Sequence, residues 1–148
     1  MASRPRVPSP TNLTRPTLET RFHIDYDWWE RSGQELRLYL LQHLCEEHRH
    51  EFAIETPDDV IVDWIDPHNG RVTRVDRLYY TLLTHCSQDP EYVTERTALV
   101  DAVFRVLLLA GNLPMNASEL AQRTGRSPEM ILRTLSGKTV YKGLRPVM

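Results

Sequence analysis

The tightest constraint on how this chain can fold is a run of helix-boundary signals between residues 116 and 128. Asn116 can accept a hydrogen bond at the start of a helix, and Glu119, three residues on, can reach back to it. Gly125 suits the turn that ends this helix, because a residue without Cβ adopts positive φ at little cost. Ser127 then caps a second helix, and Pro128 fits its first position, where no N–H is required. The pattern predicts a short helix through Leu120 and Ala121 to Thr124, a glycine turn, and a second short helix through Ile131 to Leu135.

Upstream, the alternation around Phe22 and Ile24 predicts a short strand. Asp27, Trp28, Trp29 and Glu30 follow, and Ser32-Gly33 marks a break. Leu36, Leu40, Leu41 and Leu44 share one helical face and predict a helix over residues 34–49. A turn is expected over residues 56–59, then a β-branched run over 60–65. Residues 66–70 end in Asn69-Gly70, which tolerates the positive φ of a tight hairpin, and the run 71–75 alternates again. A β-hairpin is therefore expected here. Asp76 caps a helix predicted over 77–86. Asp89-Pro90 reads as the start of a further helix running to Ala110, with Gly111 ending it. Trp64 lies on the first hairpin strand, where it is either core or an interface anchor.

The net charge of -2 conceals a gradient. Residues 1–21 sum to +3, residues 22–115 to -9 and residues 116–148 to +4. Such asymmetry suggests that the ends meet something anionic and the middle does not. Residues 1–20 hold four prolines among Ser, Thr and Arg without apolar periodicity, and predict a flexible arm carrying Arg4, Arg6 and Arg15. No apolar run approaches the roughly 18 residues of a membrane span, and no hydrophobic signal core opens the chain, so no membrane association is expected. The two cysteines, Cys45 and Cys86, cannot build a disulfide framework, which fits a reduced, cytoplasmic setting.

The stretch 120–135 resembles the helix-turn-helix superfamily, and with the helix expected over 90–110 it is similar to winged-helix proteins across residues 90–148. The resemblance implies that Ala121 lets two helices touch, that Gly125 makes the turn, and that Ile131 and Leu135 pack the second helix on the first. Arg126 departs from the pattern, standing where such motifs often hold an apolar residue. Residues 136–146 supply at most one strand of a wing, and that strand can instead pair with the one near Phe22. The resemblance implies binding of double-stranded DNA. Arg126, Ser127, Pro128, Glu129 and Arg133 would be presented by the second helix, with Arg123, Lys138, Lys142 and Arg145 beside phosphates. The arm would follow a minor groove. A single short recognition helix reads few base pairs, so a homodimer is expected.

Other chemistry weighs less. Cys45, His48, His85 and Cys86 would make a tetrahedral site if their helix ends met, but their spacing matches no compact zinc pattern, and the sequence predicts no metal and no cofactor. Asp25, Asp27 and Glu30 beside two Trp residues suggest an acid–base site less than a core or interface anchor. Without a glycine-rich phosphate loop or a nucleophile motif, no enzyme is expected.

The expectation is an α+β fold. After the arm (1–20), a half made of strand, helix, hairpin and helix (21–88) packs on a three-helix helix-turn-helix half with a truncated wing (89–148). The expected function is non-catalytic DNA binding in transcription regulation. The alternative is a protein-interaction adaptor, with a partner on the acidic, Trp-containing amino-terminal half.

Overall fold

A computed structural model describes residues 15–49, 61–65 and 69–147. The arm up to residue 14, with Arg4 and Arg6, the turn expected at 56–59 and residues 66–68 lie outside the described residues, as does the side chain of Trp64.

The chain folds into a mixed α+β structure with a small antiparallel three-stranded sheet. Its central strand, β1 (Arg21–Ile24), pairs on one side with β4 (Met115–Asn116) and on the other with β5 (Leu144–Pro146). The strand expected near Phe22 thus meets the last strand, and the two ends of the chain share one sheet. Phe22 and Ile24 point from β1 into the core. A second pairing joins β2 (Ile61–Ile65) to β3 (Val72–Asp76) in the expected hairpin, with Ile65 opposite Val72.

Short helices connect these strands along the chain. Asp25 accepts from the Asp27 and Trp28 amides and opens α1 (Tyr26–Ser32), which Gly33 ends in the left-handed conformation. These are ordinary boundary residues, and they make a helix where sequence periodicity showed none. α1 buries Trp29, which stacks on Tyr39 with ring centroids 5.3 Å apart and donates from Nε1 to the Lys142 carbonyl at 3.1 Å. The acid–base site considered around Asp25 gives way to a structural one: its carboxylate caps α1 and pairs with Arg31 and Arg145.

The helix expected over 34–49 is broken. α2 spans Leu36–Gln42, and a further helical turn occupies residues 46–49. At the break His43 and Leu44 are both buried, and the Cys45 amide donates to Cys86 Sγ at 3.1 Å. A continuous helix would not supply that geometry. α3 (Arg77–Thr84) starts at Asp76 as expected, and a 3-10 turn, Cys86–Gln88, follows it.

The expected helix from Pro90 is also corrected. Asp89 accepts from the Glu91 amide and closes a turn on Tyr92, and Thr94 and Thr97 close another through a hydroxyl and the backbone. Local side-chain bonds satisfy this stretch without a helix. The long helix, α4, therefore begins at Leu99 and ends at Leu109. It supplies more of the core than any other helix: Ala102, Val103, Phe104, Val106, Leu107 and Leu108 are buried. Beyond it, Gly111 and Asn112 both take positive φ. The Asn112 side-chain amide then accepts from the Ile24 N–H at 2.7 Å and donates to the Ile24 carbonyl at 2.9 Å, extending the pairing of β1.

Candidate functional site

α5 (Ala117–Thr124) and α6 (Pro128–Leu135) follow, and their boundaries are those the sequence predicts. The Glu119 amide donates to Asn116 Oδ1 at 2.9 Å, and the Asn116 amide donates to Glu119 Oε1 at 3.0 Å. Gly125 ends α5 at φ 72°. Ser127 Oγ accepts from the Met130 amide at 3.0 Å, with Pro128 in the first turn. Leu120 and Thr124 of α5, and Ile131 and Leu135 of α6, are buried. α5 packs against both α4 and α6.

The residues assigned to nucleic acid fall into two groups. Glu129 and Arg133 are exposed on α6, together with Met130, while Ser127 stands exposed and Pro128 half-buried at its first turn. Arg123 is exposed at the end of α5, and Lys138 is exposed beyond α6. The other three turn toward the protein. Arg126 donates from Nη2 to the Glu95 carbonyl at 2.7 Å and to the Thr97 carbonyl. The residue that departs from the motif thus holds the loop ahead of α4. Lys142 lies over the Tyr39 ring, 4.8 Å from its centroid, and Arg145 Nη1 sits 3.3 Å from the Asp25 carboxylate. Arg123, Arg133 and Lys138 are the exposed cations among the described residues from 116 on. Exposed Tyr141 follows them.

A polar cluster lies at the margin of the core, where buried Tyr39 and His43 meet half-buried Asp101 and Arg105. Arg105 of α4 donates from Nε to His43 Nδ1 at 2.8 Å, and its guanidinium lies 4.6 Å from the centroid of the Tyr92 ring. The Tyr39 hydroxyl donates to Asp101 Oδ1 at 2.6 Å. Burial and the Arg105 charge hold His43 down at about 4, so the ring is neutral at pH 7. Burial and the bond to Asp101 push the Tyr39 hydroxyl well above its ordinary range. Sequence reasoning missed this cluster. Its signal is the helical spacing of Tyr39 and His43, one turn apart and both buried.

Of the four candidate metal-binding residues, the fold brings three together. Cys45 Sγ lies 3.2 Å from Cys86 Sγ and 3.0 Å from His48 Nδ1, and Cys86 Sγ lies 3.9 Å from the same nitrogen. His85 is the fourth; its ring centroid is 5.1 Å from that of His48. Both cysteines are free thiols. Cys86 is fully buried, and burial pushes its thiol up to about 12. Beside the cluster opens a cleft lined by Cys45, Glu46, His48, His85, Gln88 and Asp89.

No helix among the described residues is long and apolar enough to cross a membrane. No family model, curated protein or solved structure matches the chain.

Proposed function

We propose that the chain is a non-catalytic DNA-binding protein that reads duplex DNA through a helix-turn-helix formed by α5 and α6. In this reading α4 completes a three-helix unit and β5 replaces the wing. The carrying observation is the division of α6: Ile131 and Leu135 are buried, and Glu129, Met130 and Arg133 are exposed beyond a capped first turn. Such a helix suits a major groove about 12 Å wide, with its early residues near base edges. Arg123 and Lys138 would meet phosphates on either side. The protein would act as a homodimer, and as a transcription regulator.

The test is binding to mixed duplex fragments at two salt concentrations, beside an Arg123→Ala/Arg133→Ala/Lys138→Ala variant. Removing each phosphate-binding cation should flatten the log–log salt dependence by about 0.9. Salt-sensitive binding that the triple variant loses supports the proposal. No binding at about 50 mM salt overturns it, because even non-specific affinity shows at that salt.

A second reading has its own observation. Arg126, Lys142 and Arg145 are turned toward the protein, while Met130 and Tyr141 are exposed. A surface with fewer available cations and more apolar area suits a protein partner, so absent DNA binding would make an adaptor the leading reading.

A further inference from the structure

We propose that Cys45, His48 and Cys86 form a binding site for one transition-metal ion of zinc's class, with the fourth position facing the cleft beside His85. The three donors come from two segments: the break after α2 with the helical turn 46–49 that follows it, and the 3-10 turn after α3. Tetrahedral zinc, with bonds of about 2.3 Å to sulfur and 2.0–2.1 Å to nitrogen, sets its ligands about 3.8 Å apart for S···S and about 3.6 Å for S···N. The observed edges are 3.2, 3.0 and 3.9 Å. None departs from the ideal by more than about 0.6 Å, which small side-chain rotations supply.

Chemistry points the same way. Two thiolates and an imidazole are a borderline-soft set that suits zinc or cobalt(II) and not magnesium or calcium. A bare hydrophobic role for the cysteines leaves unexplained why an imidazole nitrogen is aimed at both sulfurs. The cleft provides an entry path, and Glu46 and Asp89 at its wall attract a cation. On binding, each thiol gives its proton to solvent and its sulfur lone pair to the metal; nothing is oxidised. His85 already lies beside His48, with its ring tilted 31° to it, and is exposed, so it can swing to the fourth position or yield it to water. The ion would pin the turn after α2 to the turn after α3.

The experiment titrates the reduced, chelator-stripped full chain with cobalt(II). One equivalent should bind, with a thiolate-to-cobalt charge-transfer band and the intense visible bands of tetrahedral cobalt. Zinc should abolish both signals and raise the thermal midpoint. Cys86 is buried, so its serine variant tests folding as much as binding. Cys45→Ser and His48→Gln alter half-buried positions, and circular dichroism establishes that they fold. Losing a residue that merely supports a ligand typically costs about tenfold in affinity, so each of these should cost no less. A reduced wild-type chain that shows no thiolate band overturns the proposal. So does cobalt binding that both variants leave unchanged, since the metal would then sit elsewhere. Neither outcome depends on whether DNA is bound.

Discussion

At two positions the residue type itself governs stability. Gly143 is buried at φ 78°, and a Cβ there would lie 2.9 Å from the Asp25 carbonyl oxygen and 2.9 Å from Trp29 Nε1. Its own carbonyl accepts from the Asp25 amide at 2.7 Å, so the backbone cannot withdraw without losing that bond. Gly143→Ala should therefore cost about 2–5 kcal/mol, the left-handed penalty plus the overlap, read as a lower urea midpoint. His43 sets a pH dependence. An unfolded histidine takes its proton near 6.5, whereas buried His43, facing Arg105 and Lys142, takes it only near 4. Between these values the unfolded state binds more protons, so stability is full above about 6.5 and falls as the pH drops toward 4. The loss should reach about 3 kcal/mol. His43→Gln, which keeps an acceptor for Arg105, should show a shallower decline between pH 7 and 4.5 in urea titrations at fixed steps. An unchanged decline would assign the acid sensitivity to other groups.

At the scale of elements, boundaries written in short-range chemistry were legible and boundaries set by distant contacts were not. The capping pair of Asn116 and Glu119, the Gly125 turn and the Ser127–Pro128 start are all contained within a few residues. So is the hairpin at Asn69-Gly70. The break after α2 is different, because it depends on His43 meeting Arg105, which is 62 residues away. Asp89-Pro90 misleads for a related reason: the start signal is genuine, but the Thr94 and Thr97 hydroxyls and the burial of Tyr92 end it after a turn. The thiol cluster needs two segments 41 residues apart to converge, which no spacing rule reports. Arg126 extends the point to the candidate interface. It reads as a phosphate contact, yet its Nη2 hydrogens go to the carbonyls of Glu95 and Thr97. Arg126→Ala is thus expected to lower stability by about 1–2 kcal/mol while leaving the salt slope of any DNA binding unchanged. Arg123→Ala, which removes an exposed cation assigned to a phosphate, should do the reverse, flattening the slope by about 0.9 with little effect on the melt. Paired melts and salt titrations of the two variants separate the roles.

For the whole molecule, the decisive fact is that β1 is the middle strand, bonded on both sides by strands from the carboxy-terminal third. Among the described residues, β1 therefore finds both its strand partners outside the amino-terminal half. Trp29 repeats the dependence, since its ring lies against Tyr39 and Phe104 and its N–H requires the Lys142 carbonyl. Removing residues 143–148 would take away the buried Leu144 side chain, the pairing of β5 with β1, and the bond from the Val147 amide to the Arg21 carbonyl. Deleting a buried leucine alone costs about 2–5 kcal/mol, and the missing strand bonds add to it. Against the roughly 5–15 kcal/mol that holds a typical domain together, this truncation should leave little or no folded protein. Two probes watch different ends of the molecule. Emission from the three tryptophans, Trp28, Trp29 and Trp64, follows the amino-terminal half, and far-ultraviolet circular dichroism is weighted toward α4, α5 and α6. In the intact chain both should report one transition at one midpoint. In the truncated chain both should lose it together, with the tryptophan emission shifted to that of exposed indole. A tryptophan transition surviving without the last strand would mean that the amino-terminal elements carry a core of their own and that β5 only decorates it.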